Sequence, residues 1–176
     1  KAISSDIPIL VIAPSKKPQS ISTVGTSVVV LDEKFLQSSN EYFLGDVLSN
    51  NSTSANFFQN GGHGSTSAIQ LRGLPKRYST VYIDGVKMSD PSSVSGDFDF
   101  NHILTSQISR VEILKGNQSS VYGSGAIGGT INITTKKGKE DQQKSLMFNA
   151  GSYKTHNYSA SLSGADEISN YYLGFE

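Results

Sequence analysis

The 176-residue chain contains no cysteine and no tryptophan. The absence of cysteine excludes a cysteine nucleophile and any thiolate metal ligand. A chain without thiols suits an oxidising envelope compartment, in which a stray thiol could pair wrongly. Composition alone is equally compatible with a cytosolic protein, so the compartment has to be inferred from motifs.

An excess of charge of either sign is also lacking, because 15 basic and 15 acidic residues give a formal net charge of zero. A neutral chain predicts no nucleic-acid partner. No apolar run approaches the roughly 18 residues of a membrane-spanning helix, and no apolar core of a signal peptide is present.

The chemistry-bearing side chains form no catalytic or metal-binding pattern. Ser, His and Asp do not occur in the order of a triad, and no two carboxylates have a suggestive spacing. His63 and His102 lie in the same part of the sequence as Asp90, Asp97 and Asp99, but this spacing matches no metal site. We therefore predict a protein that is not an enzyme and that has neither a cofactor nor a bound metal.

Glycine, in contrast, is concentrated in residues 108–135, the stretch around which the chain is organised. Two β-type runs, residues 111–114 and 130–135, flank a glycine-rich loop. Residues 123–128 spell the G-x-G-x-x-G fingerprint of dinucleotide sites, but that fingerprint requires a helix after the glycines. The alternating residues that follow predict a strand, so we interpret the loop as a tight structural turn.

Short strands and short helices alternate up to residue 135, which predicts an α+β fold with a mixed sheet. We expect strands at residues 27–31, 68–72, 80–84 and 86–88. We expect helices or helical turns at residues 32–36, 41–48 and 100–104. Asp84-Gly85 predicts a hairpin turn, and residues 50–67 are expected to form a long polar loop.

The character of the sequence changes after residue 135. A charged connector is followed by three segments, residues 145–151, 157–163 and 170–176, that alternate apolar or aromatic residues with small polar ones. This pattern is typical of a barrel wall with a wet interior and a lipid-facing exterior. A soluble antiparallel meander has the same period. Because the last segment stops in mid-pattern, we expect the chain to be the N-terminal piece of a longer protein.

The first residues are expected to be extended. Residues 6–14 form a β-prone apolar run bracketed by Pro8 and Pro14, which bar it from the middle of a sheet. Such a run, next to the polar linker of residues 16–23, suits strand addition to the sheet edge of a partner. The alternative is an edge strand of the chain's own domain.

Four motifs follow one another along the chain: IQLRGL at residues 69–74, VYIDGV at 81–86, ISRVEILKG at 108–116 and SVYGSGAIGGTINI from Ser120 onwards. Together they resemble the plug domain of TonB-dependent outer-membrane receptors. The resemblance implies an extended N-terminal segment at residues 1–26, a plug at 27–137, and the first antiparallel strands of a transmembrane β-barrel at 144–176. Residues 59–64 and 101–104 favour the cobalamin-receptor branch.

The resemblance also implies a function. A TonB-dependent receptor of the outer membrane takes up a scarce, large nutrient, here cobalamin or a ferric siderophore, with energy from an inner-membrane complex. The segment that would bind the C-terminal domain of TonB, by strand addition, consists of Asp6, Ile7, Pro8, Ile9, Leu10, Val11 and Ile12. The barrel would contact outer-membrane lipid. The alternative is a soluble β-rich ligand-binding or adhesin module without transport.

Two loops, residues 56–65 and 88–97, would face the extracellular mouth by the same resemblance. The ligand-binding residues would be Phe57, Phe58, Gln59, Asn60, His63, Met88, Ser89 and Asp90, since aromatic and amide side chains suit a ligand of mixed polarity. The two phenylalanines could instead pack against the core.

Three charged residues, Arg72, Arg110 and Glu112, lie in or beside strands that look buried, where a charge requires a partner. The resemblance supplies carboxylates of the barrel wall as partners, so that the three residues would form a latch between plug and barrel. An internal Arg–Glu pair is the alternative.

Overall fold

A computed structural model of the protein describes residues 10–12, 17, 19–21, 24–39, 41–51, 55–62, 65–94, 96, 98–100, 102–138, 140–154 and 156–176. The chain divides into two compact units, Lys1–Thr134 and Thr135–Glu176. No helix within the described residues is long and apolar enough to cross a membrane.

The first unit consists of short strands and short helices. Its described strands are β1 (Leu10–Val11), β2 (Gln19–Ser20), β3 (Ser27–Asp32), β4 (Ala55–Gln59), β5 (Ser67–Leu71), β6 (Ser79–Ile83), β7 (Val86–Met88), β8 (Ile108–Lys115) and β9 (Gly129–Thr135). Its described helices are α1 (Glu33–Ser38), α2 (Leu44–Asn51) and α3 (Ser119–Tyr122), with 3-10 turns at Lys76–Tyr78 and Thr105–Gln107.

Five of these strands form a mixed sheet in the order β3-β8-β9-β6-β7. β3 pairs with β8 in antiparallel fashion, whereas β6 pairs with β9 in parallel. β6 and β7 form the predicted hairpin, in which Asp84 and Gly85 adopt the positive φ angles of 48° and 83° that such a turn requires. The mixed sheet with few short helices confirms the predicted α+β fold class.

One face of this sheet packs against α2 to form the main core. Strand residues Val111, Ile113 and Ile131 are fully buried there, as are Leu44 and Val47 of the helix. Burial of side chains of this size supplies about 1.5–3 kcal/mol each, which is the main stabilisation of a small unit.

The helix α2 begins three residues later than the predicted start at residue 41. Phe43 forms an isolated antiparallel bridge with Leu104, and the Leu44 N–H donates to the Ile103 carbonyl at 2.9 Å. The chain before Leu44 is therefore held as an extended segment by residues about 60 positions away, which a local pattern does not reveal. In contrast, α1 lies close to the helix predicted at residues 32–36, and Asp32 is its N-cap, since the Phe35 N–H donates to Asp32 Oδ1 at 2.8 Å.

The prediction of a long loop at residues 50–67 was wrong for its middle part, which forms β4. β4 pairs with β5 along its whole length, from Ala55 opposite Leu71 to Gln59 opposite Ser67. The loop is thereby reduced to a hairpin connection and a short link from α2.

The glycine-rich loop leads into the strand β9, as predicted, and the reading as a dinucleotide fingerprint is excluded by that strand. The one-turn helix α3 inside the loop was not predicted. Gly129 has a φ of 148°, and a Cβ atom there would lie 2.2 Å from the Leu114 carbonyl oxygen. Only glycine fits this close passage between two strands.

The second unit is an antiparallel sheet of β10 (Gln143–Ala150), β11 (His156–Ala165) and β12 (Asn170–Phe175) in that order. Its register places Phe148 opposite Tyr158, with ring centroids 5.0 Å apart, on one face. Ser145 and Ser161 lie opposite each other on the other face, with hydroxyl oxygens 2.7 Å apart. The predicted alternation of apolar and polar faces is confirmed. Leu146, Phe148, Tyr158, Leu173 and Phe175 expose more than half of their surface.

Candidate functional site

The hairpin of β4 and β5 presents one side to solvent. Its register places Phe58 opposite Ala68 and Asn56 opposite Gln70. Because cross-strand partners share a face, these four side chains lie together on what we call the outer hairpin face. Phe58 is 51% exposed and Asn56 is exposed as well. An exposed aromatic ring beside two amides can contact a ligand of mixed polarity.

Phe57 points to the opposite side. It packs against the main core, where it lies opposite Ile69. Its ring covers Gly45 of α2 so closely that a Cβ atom on Gly45 would lie 2.4 Å from the ring. Phe57 is therefore a packing residue, as in the alternative left open by the sequence, and we remove it from the ligand-contacting residues.

The end of the hairpin is closed by its own polar groups. Gln59 Nε2 donates to the Gly62 carbonyl at 2.6 Å, and the Asn60 N–H donates to the Thr66 carbonyl at 3.1 Å. The amide of Gln59 thus shapes the loop, while Asn60 is exposed. His63 lies outside the described residues.

The second predicted loop begins after β7. Met88 packs against the main core, whereas Ser89 is exposed. Asp90 Oδ1 accepts hydrogen bonds from the Ser92 hydroxyl at 2.6 Å and from the Ser92 N–H at 2.8 Å. These bonds, the hydroxyl first, hold the pKa of Asp90 below its ordinary value.

The structure joins the residues that follow this second loop to the loop end of the hairpin. Asp99 Oδ1 accepts a hydrogen bond from the Ser67 hydroxyl at 2.6 Å, and the same hydroxyl oxygen accepts from the Phe100 N–H at 3.1 Å. Ser67 is the first residue of β5 and is buried. The buried Ser67 hydroxyl thus makes two hydrogen bonds, and these fix the two loops to each other at their bases.

The three residues that were predicted to form a latch lie in different environments. Arg110 and Glu112 form an ion pair in β8, with Nε and Oε1 2.8 Å apart and side chains 29% and 5% exposed. This geometry is that of the internal pair that the sequence left as an alternative. Arg72 is exposed and follows β5 in a turn with a φ of 57°, so it is not buried in a strand.

Sequence reasoning missed a contact between Glu112 and the N-terminal segment. The Ile12 N–H donates to both carboxylate oxygens of Glu112, at 3.2 and 3.0 Å. Just before it, β1 pairs with β2, so that Val11 lies opposite Gln19 and is fully buried. The predicted TonB-binding residues Asp6, Ile7, Pro8 and Ile9 lie outside the described residues.

A polar cluster lies on the same sheet face as Glu112. Tyr82 and Tyr122 meet edge to face with ring centroids 4.9 Å apart, and Asn132 Nδ2 donates to the Tyr122 hydroxyl at 3.3 Å. Burial raises the pKa of the Tyr122 phenol, and the neighbouring Tyr82 and Glu112 add to this effect. Both tyrosines are buried, and Asn132 is half-buried. Within the described residues, no group of three or more His, Asp or Glu side chains is placed to hold a metal ion.

The fold and the two loops at one end of the first unit define a plug of the kind found in outer-membrane receptors. Residues 20–130 match the family model of the TonB-dependent Receptor Plug Domain. The match covers more than half of the chain, and the chain belongs to this family.

Solved structures of receptors share this fold. The ferripyoverdine receptor of the outer membrane of Pseudomonas aeruginosa matches 92% of this chain and 21% of its own at 19% identity, with a TM-score of 0.75. The ferric yersiniabactin uptake receptor FyuA from Yersinia pestis matches 81% of this chain and 22% of its own at 24% identity, with a TM-score of 0.64. The siderophore receptor PiuA from Acinetobacter baumannii matches 86% of this chain and 20% of its own at 22% identity, with a TM-score of 0.63.

The chain thus spans about a fifth of the length of these three receptors. At such identities the likeness shows the fold alone. None of the three is described as a cobalamin receptor, so the expected leaning to the cobalamin branch has no support among them.

Proposed function

We propose that the chain is the N-terminal part of a TonB-dependent outer-membrane receptor that takes up a ferric siderophore. The observation that carries this proposal is the plug-family match over residues 20–130. In this function the first unit gates a barrel, and β10, β11 and β12 are the first strands of that barrel. Residues 6–12 bind the C-terminal domain of TonB by strand addition.

Two features support a place in the outer membrane. The second unit exposes a row of apolar and aromatic side chains on one face, and its other face carries serines and asparagines. A strand that is apolar on one side and polar on the other suits a wall between lipid and a wet interior. The domain division expected from the sequence, 1–26, 27–137 and 144–176, remains part of the proposal.

The choice of a ferric siderophore over cobalamin follows the described ligands of the similar receptors, which are ferripyoverdine and ferric yersiniabactin. We propose the outer hairpin face, with Phe58 at its centre, as the plug's contribution to the ligand site. Asn60, His63, Ser89 and Asp90 are the polar candidates around it. An aromatic ring gives a large contact area to a ligand with a catecholate or heteroaromatic chelating group.

Calorimetry of the full-length receptor against ferric siderophores and cobalamin tests this proposal. We expect one ferric siderophore to bind and cobalamin not to bind. The substitution Phe58→Ala should weaken binding by about tenfold, which corresponds to about 1.4 kcal/mol.

The matched control is Phe35→Ala, because Phe35 is a partly exposed aromatic residue on α1, away from the hairpin. It should leave the affinity unchanged. Tight binding of cobalamin alone would contradict the proposed substrate, and equal losses for both substitutions would contradict the proposed site.

A further inference from the structure

Glu112 is a charged residue in an interior strand of the sheet. Its side chain is only 5% exposed, and β8 lies between β3 and β9. A buried carboxylate is costly unless its oxygens are paired and hydrogen-bonded. The groups that pair with the Glu112 carboxylate therefore indicate the role of this residue.

One pairing group is Arg110, two residues earlier on the same strand and so on the same face. Its Nε lies 2.8 Å from Glu112 Oε1. Asp32 lies opposite Arg110 in the register, and its Oδ1 accepts the capping hydrogen bond of α1. The short contact of Arg110 Nε with Oε1 orients the Glu112 carboxylate.

The other pairing group is the backbone of the N-terminal segment, 100 positions away in the sequence. The Ile12 N–H donates to both carboxylate oxygens, and hydrogen bonds to an ionised acceptor are about twice as strong as those between neutral groups. Because the donor is a backbone group, the contact does not depend on the side chain at position 12.

The segment that ends at Ile12 is fixed in two further ways. β1 pairs with β2, and Val11 is fully buried. Strand addition by a partner requires a free strand edge, because the affinity comes from backbone hydrogen bonds. In this arrangement one edge of Leu10–Val11 is already paired with β2, and the next backbone N–H, that of Ile12, is taken by Glu112.

We propose that Glu112, oriented by Arg110, is a clamp that holds the N-terminal strand against the first unit through its backbone. A strand from a partner has to compete with β2 for the paired edge of β1 and with Glu112 for the Ile12 N–H. Glu112 is then a positioning residue that acts within the plug, between its own sheet and its own N-terminus. The identity of the partner rests on the proposed function, whereas the clamp itself does not.

Thiol accessibility in the full-length receptor tests the clamp. The 176 residues contain no cysteine, so Val11→Cys introduces a single thiol in this part of the protein, at a fully buried position. We expect Glu112→Ala to raise the rate of maleimide labelling at position 11 by about tenfold, and Glu112→Gln by less, because its amide keeps one acceptor oxygen.

Two controls separate release of the strand from unfolding. Val47→Cys places the thiol in the main core, where labelling should not change with either Glu112 variant. Glu33→Gln alters a glutamate on α1 that accepts a hydrogen bond from Gln37 Nε2, and it should leave labelling at position 11 unchanged. A selective rise at position 11 supports the clamp. An unchanged rate at position 11 in both Glu112 variants, or an equal rise at positions 11 and 47 in both, overturns it.

Binding of the purified C-terminal domain of TonB then tests the partner separately. If the clamp competes with this partner, the affinity should rise by about the same factor as the labelling rate in Glu112→Ala. Selective labelling without any binding of this domain would leave the clamp in place and contradict the energy-coupling part of the proposed function.

Discussion

Asp90 illustrates how a short-range contact lowers the pKa of a candidate ligand residue. Its carboxylate accepts two hydrogen bonds from Ser92, and its pKa is lowered from the ordinary 3.8. A carboxyl group whose folded pKa is depressed stabilises the folded state at pH values above the unfolded pKa. That contribution is lost as the pH falls through the folded pKa.

We therefore predict that Ser92→Ala raises the pKa of Asp90. The contribution of Asp90 to the pH dependence of stability in the acid range should then disappear. The pKa is measured from the carboxyl carbon shift in an NMR titration. Ser89→Ala is the matched control, since Ser89 is exposed and is not among the groups that lower this pKa. An equal shift in both variants would show that the local hydrogen bonds are not the cause.

The two neighbouring phenylalanines show what the sequence can and cannot predict about single residues. Both were candidates for ligand contact, but Phe57 packs against the core and Phe58 is 51% exposed. Successive side chains in a strand point to opposite faces of the sheet, so that a buried residue is followed by an exposed one. The sequence did not predict β4, and without that strand there was no period by which to separate the two residues.

The packing of β4 against α2 depends on one residue without a side chain. Gly45 lies in the first turn of α2, and the Phe57 ring occupies the place of its missing Cβ. Alanine in a helix interior is favoured over glycine by about 1 kcal/mol. Forcing an atom into a packed core costs about 1–3 kcal/mol, so the steric cost should win.

We predict that Gly45→Ala lowers the free energy of unfolding by about 1 kcal/mol, measured by chemical denaturation. In a Phe57→Leu background the same change should be neutral or stabilising, because the obstructing ring is gone. Gly25→Ala serves as the control, since a Cβ there meets no atom within 4 Å. A similar loss from Gly45→Ala in both backgrounds would refute the steric explanation.

Elements could be predicted where their signal is local. The strands β3, β6 and β8, the helix α1 and the turn at Asp84-Gly85 all follow from neighbouring residues. The start of α2 could not be predicted, because the bridge from Phe43 to Leu104 is made across the fold. The same reason applies to the contact of Ile12 with Glu112.

For the whole molecule, the proposed uptake predicts different effects on binding and on transport. We expect deletion of residues 1–14 to abolish accumulation of a radiolabelled ferric siderophore in cells, while binding at the cell surface survives. The reason is that the deletion removes the proposed TonB-binding segment, whereas the outer hairpin face is kept.

Deletion of residues 1–5 alone is the control, because it leaves residues 6–12 in place and should preserve uptake. Retained uptake in the longer deletion would refute the assignment of the segment. The soluble-module alternative instead predicts no accumulation in any variant and no protein in the outer-membrane fraction.

The sheet of the first unit also bears on how the protein is made. Thr80 and Thr130 touch across the parallel pair of β6 and β9 although they are 50 positions apart, and β3 pairs with the distant strand β8. Such a topology has high contact order, so loop-closure entropy has to be overcome before pairing yields any stabilisation. While the chain emerges from its N-terminus, β3 stays without β8, and β6 can pair only with β7, until residues 108–135 arrive. During that interval the chain stays open to a holding chaperone and can still be threaded through a translocation pore.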